Sequence, residues 1–268
     1  MNLLDPPRLD KTAVKNSFNR YASQYDHCAV LQAEVQSRLL ERLDYIKLQP
    51  RTIIDLGCGP GKAITPLLKR YKKSNVIALD MAYSMLQEAR KKYRLLDRKC
   101  LLNADMEHLP LADNSIDLIF SSLALQWSND LGSTFKDFKR VGREGGLLMF
   151  TTFGVNTLHE LRESWQIVDN TPRVHRFVDM HDVGDLMLSA GLSQPVLDMD
   201  TLTLEYDHFK DLLKDLKAIG ATNAEKNRSR GLMTGRKLKQ LQQAYESIAF
   251  KEGRYQATYE IVNGHAWF

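Results

Sequence analysis

Cysteine is scarce in this sequence, and long apolar runs are absent. The three cysteines, Cys28, Cys58 and Cys100, lie far apart and form no CxxC pair, which argues against a disulfide framework and a zinc site. No stretch of about 18 apolar residues occurs, and the first residues hold no apolar core of a secretion signal. We therefore expect a cytoplasmic protein in a reducing compartment, with no metal and no membrane partner.

A strong excess of one charge is missing as well. The chain has 37 Lys and Arg against 33 Asp and Glu, a formal net charge of +4, and the two signs are interleaved along most of its length. Such interleaving is typical of an ordinary solvated surface. The overall charge therefore gives no reason to expect a nucleic-acid partner.

What the sequence does contain is a repeated strand and helix pattern between residues 50 and 153. Short apolar runs alternate with segments whose apolar residues recur every three or four positions. The predicted strands are 52–56, 76–79, 99–103, 116–121 and 146–152, and the helices between them are 62–71, 83–93 and 131–141. This order predicts an α/β fold in which a buried, mostly parallel sheet carries helices on both faces.

The rest of the chain predicts more helices and two later strands. The helices are 29–45, 157–169, 182–190, 208–219 and 236–249, and the strands are 195–206, which we expect to be antiparallel, and 257–263. A chain of 268 residues with 43% hydrophobic residues and no internal repeat or linker fits one domain. We predict a single domain over 1–268, with an N-terminal helical cap at 1–49, a core at 50–153 and a C-terminal region at 154–268.

The loop after the first predicted strand reads DLGCGPG at residues 55–61. Glycines at a strand-to-helix turn allow the backbone to approach a ligand closely. A Walker loop would need a glycine five positions before Gly61 and a hydroxyl residue after Lys62, and neither is present. A dinucleotide fingerprint needs Gly or Ala where Lys62 stands. The loop therefore predicts a cofactor site that does not bind a pyrophosphate.

Acidic residues end or follow three successive strands. Asp55 precedes the first glycine, where its charge would repel a pyrophosphate but attract the ammonium and sulfonium groups of S-adenosylmethionine. Asp80 ends the second strand and can accept from both ribose hydroxyls. After the third strand, Asp105 can accept from an adenine amino group and Met106 can pack on the ring, although Asp105 alone also fits a surface turn or a helix N-cap. The three acids lie along the edge where open α/β sheets bind ligands.

These features resemble the class I S-adenosylmethionine-dependent methyltransferases over residues 50–153. The resemblance implies a Rossmann-like sheet of seven strands, mostly parallel with the last strand antiparallel, together with a helical lid or insert. It implies that the core binds the cofactor and the C-terminal region the acceptor. The cofactor-binding residues it implies are Asp55, Gly57, Cys58, Gly59, Asp80, Met81, Asp105, Met106 and Ser121.

Further motifs over nearly the full chain resemble the malonyl-acyl-carrier-protein O-methyltransferases of biotin synthesis. They are SFNRYASQYD at 17–26, LQ at 31–32, LPL at 109–111 with LALQW at 123–127, DLKAIGA at 215–221, GLMTGR at 231–236, and ATYE at 257–260 with HAW at 265–267. The late motifs are the specific ones, because methyltransferases with different acceptors share the cofactor half. The resemblance implies transfer of a methyl group to the free carboxylate of malonyl-acyl carrier protein.

The implied acceptor is already ionised at neutral pH, so we expect positioning and exclusion of water rather than a catalytic dyad. Gln126 and Trp127 follow the fourth strand, where acceptors face the methyl group in this fold, although a core-packing turn explains them equally well. Arg176 is a candidate seat for the carboxylate, unless it only pairs with Asp179. Tyr21 is a candidate for closing the lid, unless it only packs a helix.

The densest positive run includes Arg228, Arg230, Arg236 and Lys237. It predicts a docking face for an acidic carrier protein, or equally a solvated loop and helix. The sequence leaves open the carrier of the thioester, the oligomeric state, and any role of His265 and Trp267.

Two other functions remain as alternatives at this point. One is a methyltransferase for another small acceptor, such as a quinone or a different carboxylic acid. The other is a non-catalytic methyltransferase-like subunit, although such subunits usually lose the glycine loop or its acid, and both are present here.

Overall fold

The computed structural model describes residues 8–92, 99–169, 173–218, 224 and 234–268. The strands in these residues are β1 Thr52–Leu56, β2 Asn75–Asp80, β3 Lys99–Asn103, β4 Ile116–Ser122, β5 Gly142–Phe153, β6 Ser193–Tyr206, β7 Phe250–Lys251 and β8 Arg254–Trp267. The α-helices are α1 Lys11–Cys28, α2 Val30–Arg42, α3 Ile64–Arg70, α4 Tyr83–Lys91, α5 Leu131–Val141, α6 His159–Val168, α7 Met180–Ser189, α8 Phe209–Ala218 and α9 Gly235–Ala249.

The strands form one sheet in the order β3-β2-β1-β4-β5-β8-β6, with the short β7 paired to β8. The first five strands pair in parallel, for example Ile53 with Val76 and Leu118. β8 runs antiparallel to both β5 and β6. The predicted α/β fold, with a mostly parallel sheet and an antiparallel last strand, is confirmed.

Residues on the two faces of the sheet belong to different parts of the core. On β1, Ile54 packs in the same cluster as Phe135 and Phe150, while its neighbour Ile53 packs with Phe120 on the other face. Strands covered on both faces read as near-continuous apolar runs, and in β1 the last four residues are all buried. Because β1, β2 and β4 are parallel, their carboxyl ends meet at one edge of the sheet.

The main departure from the sequence prediction is α1. The sequence predicted one amphipathic helix over 29–45, and α2 lies within that range. Helix α1 lies before that range and was not predicted. The side chain of Asp10 caps α1 by accepting from the amide of Ala13 at 3.0 Å. Of the 18 residues in α1 only Val14 and Ala22 are buried, so its apolar periodicity is weak. In the sequence, Asp10 as a helix N-cap residue was the signal that could have predicted α1.

Other boundaries differ by a few residues, as expected for elements whose ends depend on local caps. The helix predicted at 182–190 begins at Met180 because Asp179 caps it, accepting from the amide of His181 at 2.8 Å. The strands predicted at 146–152 and 257–263 extend at both ends. β5 begins at Gly142, which pairs with Ile116 of β4, and β8 is lengthened by its pairing with β5 up to Trp267 and with β6 back to Tyr255. Among the described residues, no helix has the length and apolarity needed to cross a membrane.

Candidate active site

The glycine loop leaves the carboxyl end of β1 and lies against the end of β2. Gly57 and Gly59 have left-handed φ values of +69° and +52°, which residues with a side chain rarely adopt. A Cβ atom on Gly57 would lie 2.4 Å from the Cβ atom of Ala124. The amides of Gly57 and Cys58 donate to the carbonyl of Leu79 at 2.8 and 3.0 Å. Glycine at position 57 is therefore required by both the backbone conformation and the available space.

Two buried carboxylates lie beside this loop. Asp80 accepts from the amides of Gly59 at 2.9 Å and Ala82 at 2.7 Å. Asp55 is 1% exposed, and its Oδ2 has no hydrogen-bond partner among the described residues. Burial raises the pKa of Asp80 to about 6. Burial, and then the charge of Asp80, raise the pKa of Asp55 to about 7. The pair favours a ligand that brings positive charge and hydrogen-bond donors.

A cavity of about 550 Å³, called here the first cavity, opens next to Asp80. Apolar side chains form most of its wall, among them Leu79, Met81, Met85, Ala104, Met106, Leu123 and Trp127. Such a slot suits a nucleoside, because the base packs on apolar side chains while the ribose hydroxyls donate to a carboxylate. The first cavity therefore fits the adenosine part of S-adenosylmethionine.

Helix α1 closes one side of the first cavity. The ring of Tyr25 forms part of the wall and lies 3.9 Å from where a Cβ atom on Gly59 would be. At the start of α1, Lys11 Nζ lies 3.1 Å from Asp105 Oδ1. At its end, Asp26 lies 3.5 Å from Lys62 Nζ. Ion pairs at both ends therefore hold α1 across the cofactor side of the sheet.

A second cavity of about 450 Å³ lies on the far side of Trp127. Gln126, Thr152, His175 and Arg176 contribute to its wall. Trp127 stacks on His175 with ring centroids 5.9 Å apart and planes 18° apart. His175 Nε2 donates to the carbonyl of Gln126 at 3.1 Å, and burial lowers the pKa of His175 to about 4, so the imidazole is neutral. Trp127 and His175 together separate the first cavity from the second.

Comparison with known proteins agrees with this geometry. Residues 54–150 match a family described as a methyltransferase domain. A malonyl-[acyl-carrier protein] O-methyltransferase from Halorhodospira halophila is 47% identical over 269 residues, which span 100% of this chain and 91% of the relative. The chain belongs to the malonyl-[acyl-carrier protein] O-methyltransferase family. It is therefore an S-adenosylmethionine-dependent methyltransferase.

Two other proteins are similar to this chain at different levels. A malonyl-[acyl-carrier protein] O-methyltransferase from Methylovorus sp. is 46% identical, with 97% of this chain and 89% of the relative covered. The crystal structure of a putative methyltransferase from Bacillus halodurans aligns with a TM-score of 0.61 at 17% identity, covering 86% of this chain and 98% of that one. The second likeness shows the fold alone.

In this methyltransferase, most of the predicted cofactor residues surround the first cavity. Gly57, Gly59, Asp80, Met81 and Met106 are in its wall. Asp55 and Cys58 are outside that wall and are buried, and burial raises the pKa of the Cys58 thiol well above its usual value.

Two predicted residues face elsewhere. Asp105 is outside the wall of the first cavity, and its carboxylate accepts from Lys11 and from the amide of Glu107. Ser121 is fully buried, and its hydroxyl donates to the carbonyl of Leu56 at 3.0 Å. Because side chains alternate along β4, the neighbouring Ser122 lines the first cavity instead.

The acceptor candidates divide between the two cavities. Trp127 lines the first cavity, and Gln126 and Arg176 line the second. Arg176 is exposed and forms no ion pair among the described residues. The alternative pairing with Asp179 is wrong, because Asp179 caps α7 and accepts from His181.

Tyr21 lies in α1 but outside the walls of the cavities described above, whereas Tyr25, one helical turn later, lines the first cavity. Of the two tyrosines, the structure therefore brings Tyr25 to the first cavity, and the sequence analysis did not select it. Phe18, seven positions before Tyr25 and on the same helix face, also lines the first cavity. Helical spacing alone does not separate the two tyrosines, because Tyr21 lies three positions after Phe18.

The predicted docking residues are only partly described. Arg228 and Arg230 lie outside the described residues, and Arg236 is exposed at the start of α9. Lys237 pairs with Asp169 and lies 5.8 Å from the centre of the Trp165 ring, so it holds α9 against α6.

The two C-terminal residues without a sequence-based role have structural positions. Trp267 packs against the core cluster that lies under α2 and α3, and His265 lines a separate cavity with Arg42 and Asp198.

Proposed function

We propose that this enzyme transfers the methyl group of S-adenosylmethionine to the free carboxylate of malonyl-acyl carrier protein, in the synthesis of the pimelate part of biotin. The observation that carries the proposal is the pair of cavities on either side of Trp127. The first cavity suits adenosine and contains Asp80, and the second exposes Arg176, which suits an anion. The names of the relatives supply the malonyl thioester as the anion.

The residues around the first cavity divide the binding of the cofactor among them. Asp80, already fixed by two backbone amides, accepts from the ribose hydroxyls with its remaining lone pairs. Met81 and Met106 pack on the adenine ring. The turn from Gly57 to Gly59 lies along the amino-acid part. We assign Asp105 to holding α1 through Lys11 rather than to contact with adenine.

When bound, S-adenosylmethionine supplies an electrophilic methyl group next to a sulfonium. The acceptor carboxylate is already ionised, so the protein needs no general base and no metal for this transfer. Leu123 and Trp127 line the first cavity and exclude water around the methyl group, so an acceptor carboxylate that reaches it is poorly solvated. Catalysis therefore rests on positioning and desolvation.

Arg176 is the proposed seat of the acceptor carboxylate, with the side chain of Gln126 beside it. A second cation lies close by, since burial and then the charge of Arg176 lower the pKa of Arg162. Glu163 and Glu160 act on Arg162 in the opposite direction, so Arg176, which is exposed and has no ion pair among the described residues, is the cation that would attract an anion and disfavour a neutral quinone. Another small carboxylic acid is therefore the remaining alternative acceptor.

For the carrier protein, we propose that Arg236, together with Arg228 and Arg230, attracts its acidic surface. We keep the cytoplasm as the predicted compartment of this biosynthetic reaction. We also keep the prediction that the enzyme has no membrane or nucleic-acid partner.

Mass spectrometry of malonyl-acyl carrier protein incubated with the enzyme and S-adenosylmethionine tests this function. We expect the mass of one added methyl group, and no gain when acetyl-acyl carrier protein replaces the malonyl form. Arg176→Ala should raise the KM for the malonyl substrate while leaving the affinity for S-adenosylhomocysteine unchanged. Methylation of free dicarboxylic acids but not of the malonyl carrier would replace the acceptor by a small carboxylic acid.

A further inference from the structure

The turn that follows Trp127 is held by one carboxylate from the loop after β3. Oε1 of Glu107 accepts from the hydroxyl of Ser128 at 3.2 Å and from the amide of Asn129. The same oxygen accepts from the amide of Asp130 at 3.3 Å. Because the three donors belong to consecutive residues, this carboxylate fixes the backbone of the turn directly after Trp127.

The other oxygen of the same carboxylate reaches the first turn of α1. Oε2 of Glu107 lies 3.2 Å from Lys11 Nζ, and the two side chains are only 17% and 20% exposed. Solvent and salt screen a partly buried ion pair less than an exposed one. Glu107 therefore connects the turn after Trp127 to the start of α1.

A second connection to the same segment runs through Asn129. Its Oδ1 accepts from the amide of Leu9 at 2.6 Å, and its Nδ2 donates to the carbonyl of Leu9 at 3.4 Å. Leu9 is buried and packs in the same apolar cluster as Trp127. When Glu107 holds Asn129 in place, it therefore also holds the chain before α1 against Trp127.

The residues fixed in this way belong to the walls of the two main cavities. Three of them line the second cavity, namely Leu9, Ser128 and Asn129. Trp127 lines the first cavity, as does Met106, which directly precedes Glu107. Glu107 itself lines neither cavity. It can therefore affect the reaction only through the segments that it holds.

We propose that Glu107 is a positioning residue for the methyl transfer. It fixes the turn at residues 127–130, so that Trp127 and the adjoining wall of the second cavity stay where the acceptor must approach the methyl group. The inference rests on the proposed function, which places the acceptor in the second cavity. A shift of this turn would misplace the acceptor, and small misplacements are costly when catalysis depends on alignment.

Two substitutions of Glu107 test this role through steady-state kinetics with malonyl-acyl carrier protein. Glu107→Ala removes the acceptor of all three donors in the turn and should raise the KM for the malonyl substrate by about tenfold or more. The affinity for S-adenosylhomocysteine should change by less than about threefold. Glu107→Gln keeps an oxygen that accepts from the turn, while Lys11 keeps its ion pair with Asp105. This variant should stay within about threefold of the unmodified enzyme in KM.

Asp117→Ala is the matched control for a general loss of stability. Asp117 also accepts from two consecutive backbone amides, those of Arg51 at 2.9 Å and Thr52 at 2.8 Å. Its side chain is 19% exposed, close to the value for Glu107. It lies near the start of β4, whereas the cavities lie beyond the end of that strand. An equal rise in KM in both alanine variants would show general loosening of the protein and would overturn the proposal.

Fluorescence reports the position of the turn independently of turnover. The chain has three tryptophans, so replacing Trp165 and Trp267 by phenylalanine leaves Trp127 as the only tryptophan. In this background, Glu107→Ala should make Trp127 easier to quench with acrylamide, and Glu107→Gln should not. Unchanged quenching in Glu107→Ala would overturn the proposal.

The remaining outcomes also decide the question. If Glu107→Gln were as impaired in KM as Glu107→Ala, the charge facing Lys11 would matter rather than the turn, and the proposal would be wrong. A parallel loss of S-adenosylhomocysteine affinity would place the effect on the cofactor and would also overturn it. If the unmodified enzyme did not methylate malonyl-acyl carrier protein, the proposed function itself would fail, and the quenching measurement would still decide whether Glu107 holds the turn.

Discussion

Replacing Gly57 by alanine tests the geometry of the cofactor loop with the least chemical change. The added Cβ atom would lie 2.4 Å from the Cβ atom of Ala124, well inside van der Waals contact. The residue would also have to keep φ at +69°, because the loop amides are fixed to the end of β2. Both effects destabilise the native state, and they can be separated.

The left-handed conformation costs about 1–2 kcal/mol for a residue with a side chain. Forcing an extra methyl group into a packed site costs about a further 1–3 kcal/mol. We therefore expect Gly57→Ala to lower the free energy of unfolding by about 2–5 kcal/mol. Gly191→Ala is the matched control, because its φ is +80° and a Cβ atom there would meet nothing within 4 Å. The control should lose only the conformational part.

Urea unfolding followed by circular dichroism measures both changes. The double variant Gly57→Ala with Ala124→Gly removes the methyl group that Gly57→Ala would strike, so it should recover the packing part of the loss. Equal destabilisation by Gly57→Ala and Gly191→Ala, or no recovery in the double variant, would refute the close approach of the loop to Ala124.

Three further results are expected. S-adenosylmethionine should bind more tightly, with proton release, as the pH rises from about 5.5 to 8, because the cationic ligand favours the ionised forms of Asp55 and Asp80. Calorimetry in two buffers measures the affinity and the proton release, and a pH-independent affinity contradicts the prediction. Tyr25→Ala should weaken S-adenosylhomocysteine binding by about tenfold, and Tyr21→Ala should not; equal effects in equilibrium dialysis would contradict the lid assignment. Trp127→Ala should raise the acceptor KM, and steady-state kinetics showing a change in cofactor affinity alone would contradict its place between the cavities.

The sign of the pH effect follows from the raised pKa values. Burial raises the pKa of Asp80 to about 6 and that of Asp55 to about 7, so both carboxyls hold protons in the empty site at mildly acidic pH. A bound cation lowers both pKa values, and the protons leave. Affinity therefore grows with pH through this range and levels off once both groups are ionised in the free enzyme.

The sheet and the cofactor loop were largely predictable from the sequence. The strand from Thr52 to Leu56 and the helix from Leu131 to Val141 have the predicted bounds, because the strand is a nearly continuous buried run and the helix has a clear apolar periodicity. Helix α1 was missed because few of its side chains are buried, so its sequence lacks a clear apolar face. Its stability comes from contacts with distant segments such as the ion pair of Lys11 with Asp105.

Sequence alone determined where the glycines and the acids stand, and hence that a cofactor with cationic groups binds after β1. Each of these features depends on neighbours within a few positions, where strand period and turn chemistry act. Tertiary structure decided which nearby residue faces the site: Tyr25 rather than Tyr21, and Ser122 rather than Ser121. It also paired Asp105 with Lys11, 94 residues away. Such choices depend on how helices rotate and pack against the finished sheet, and no local pattern records that packing.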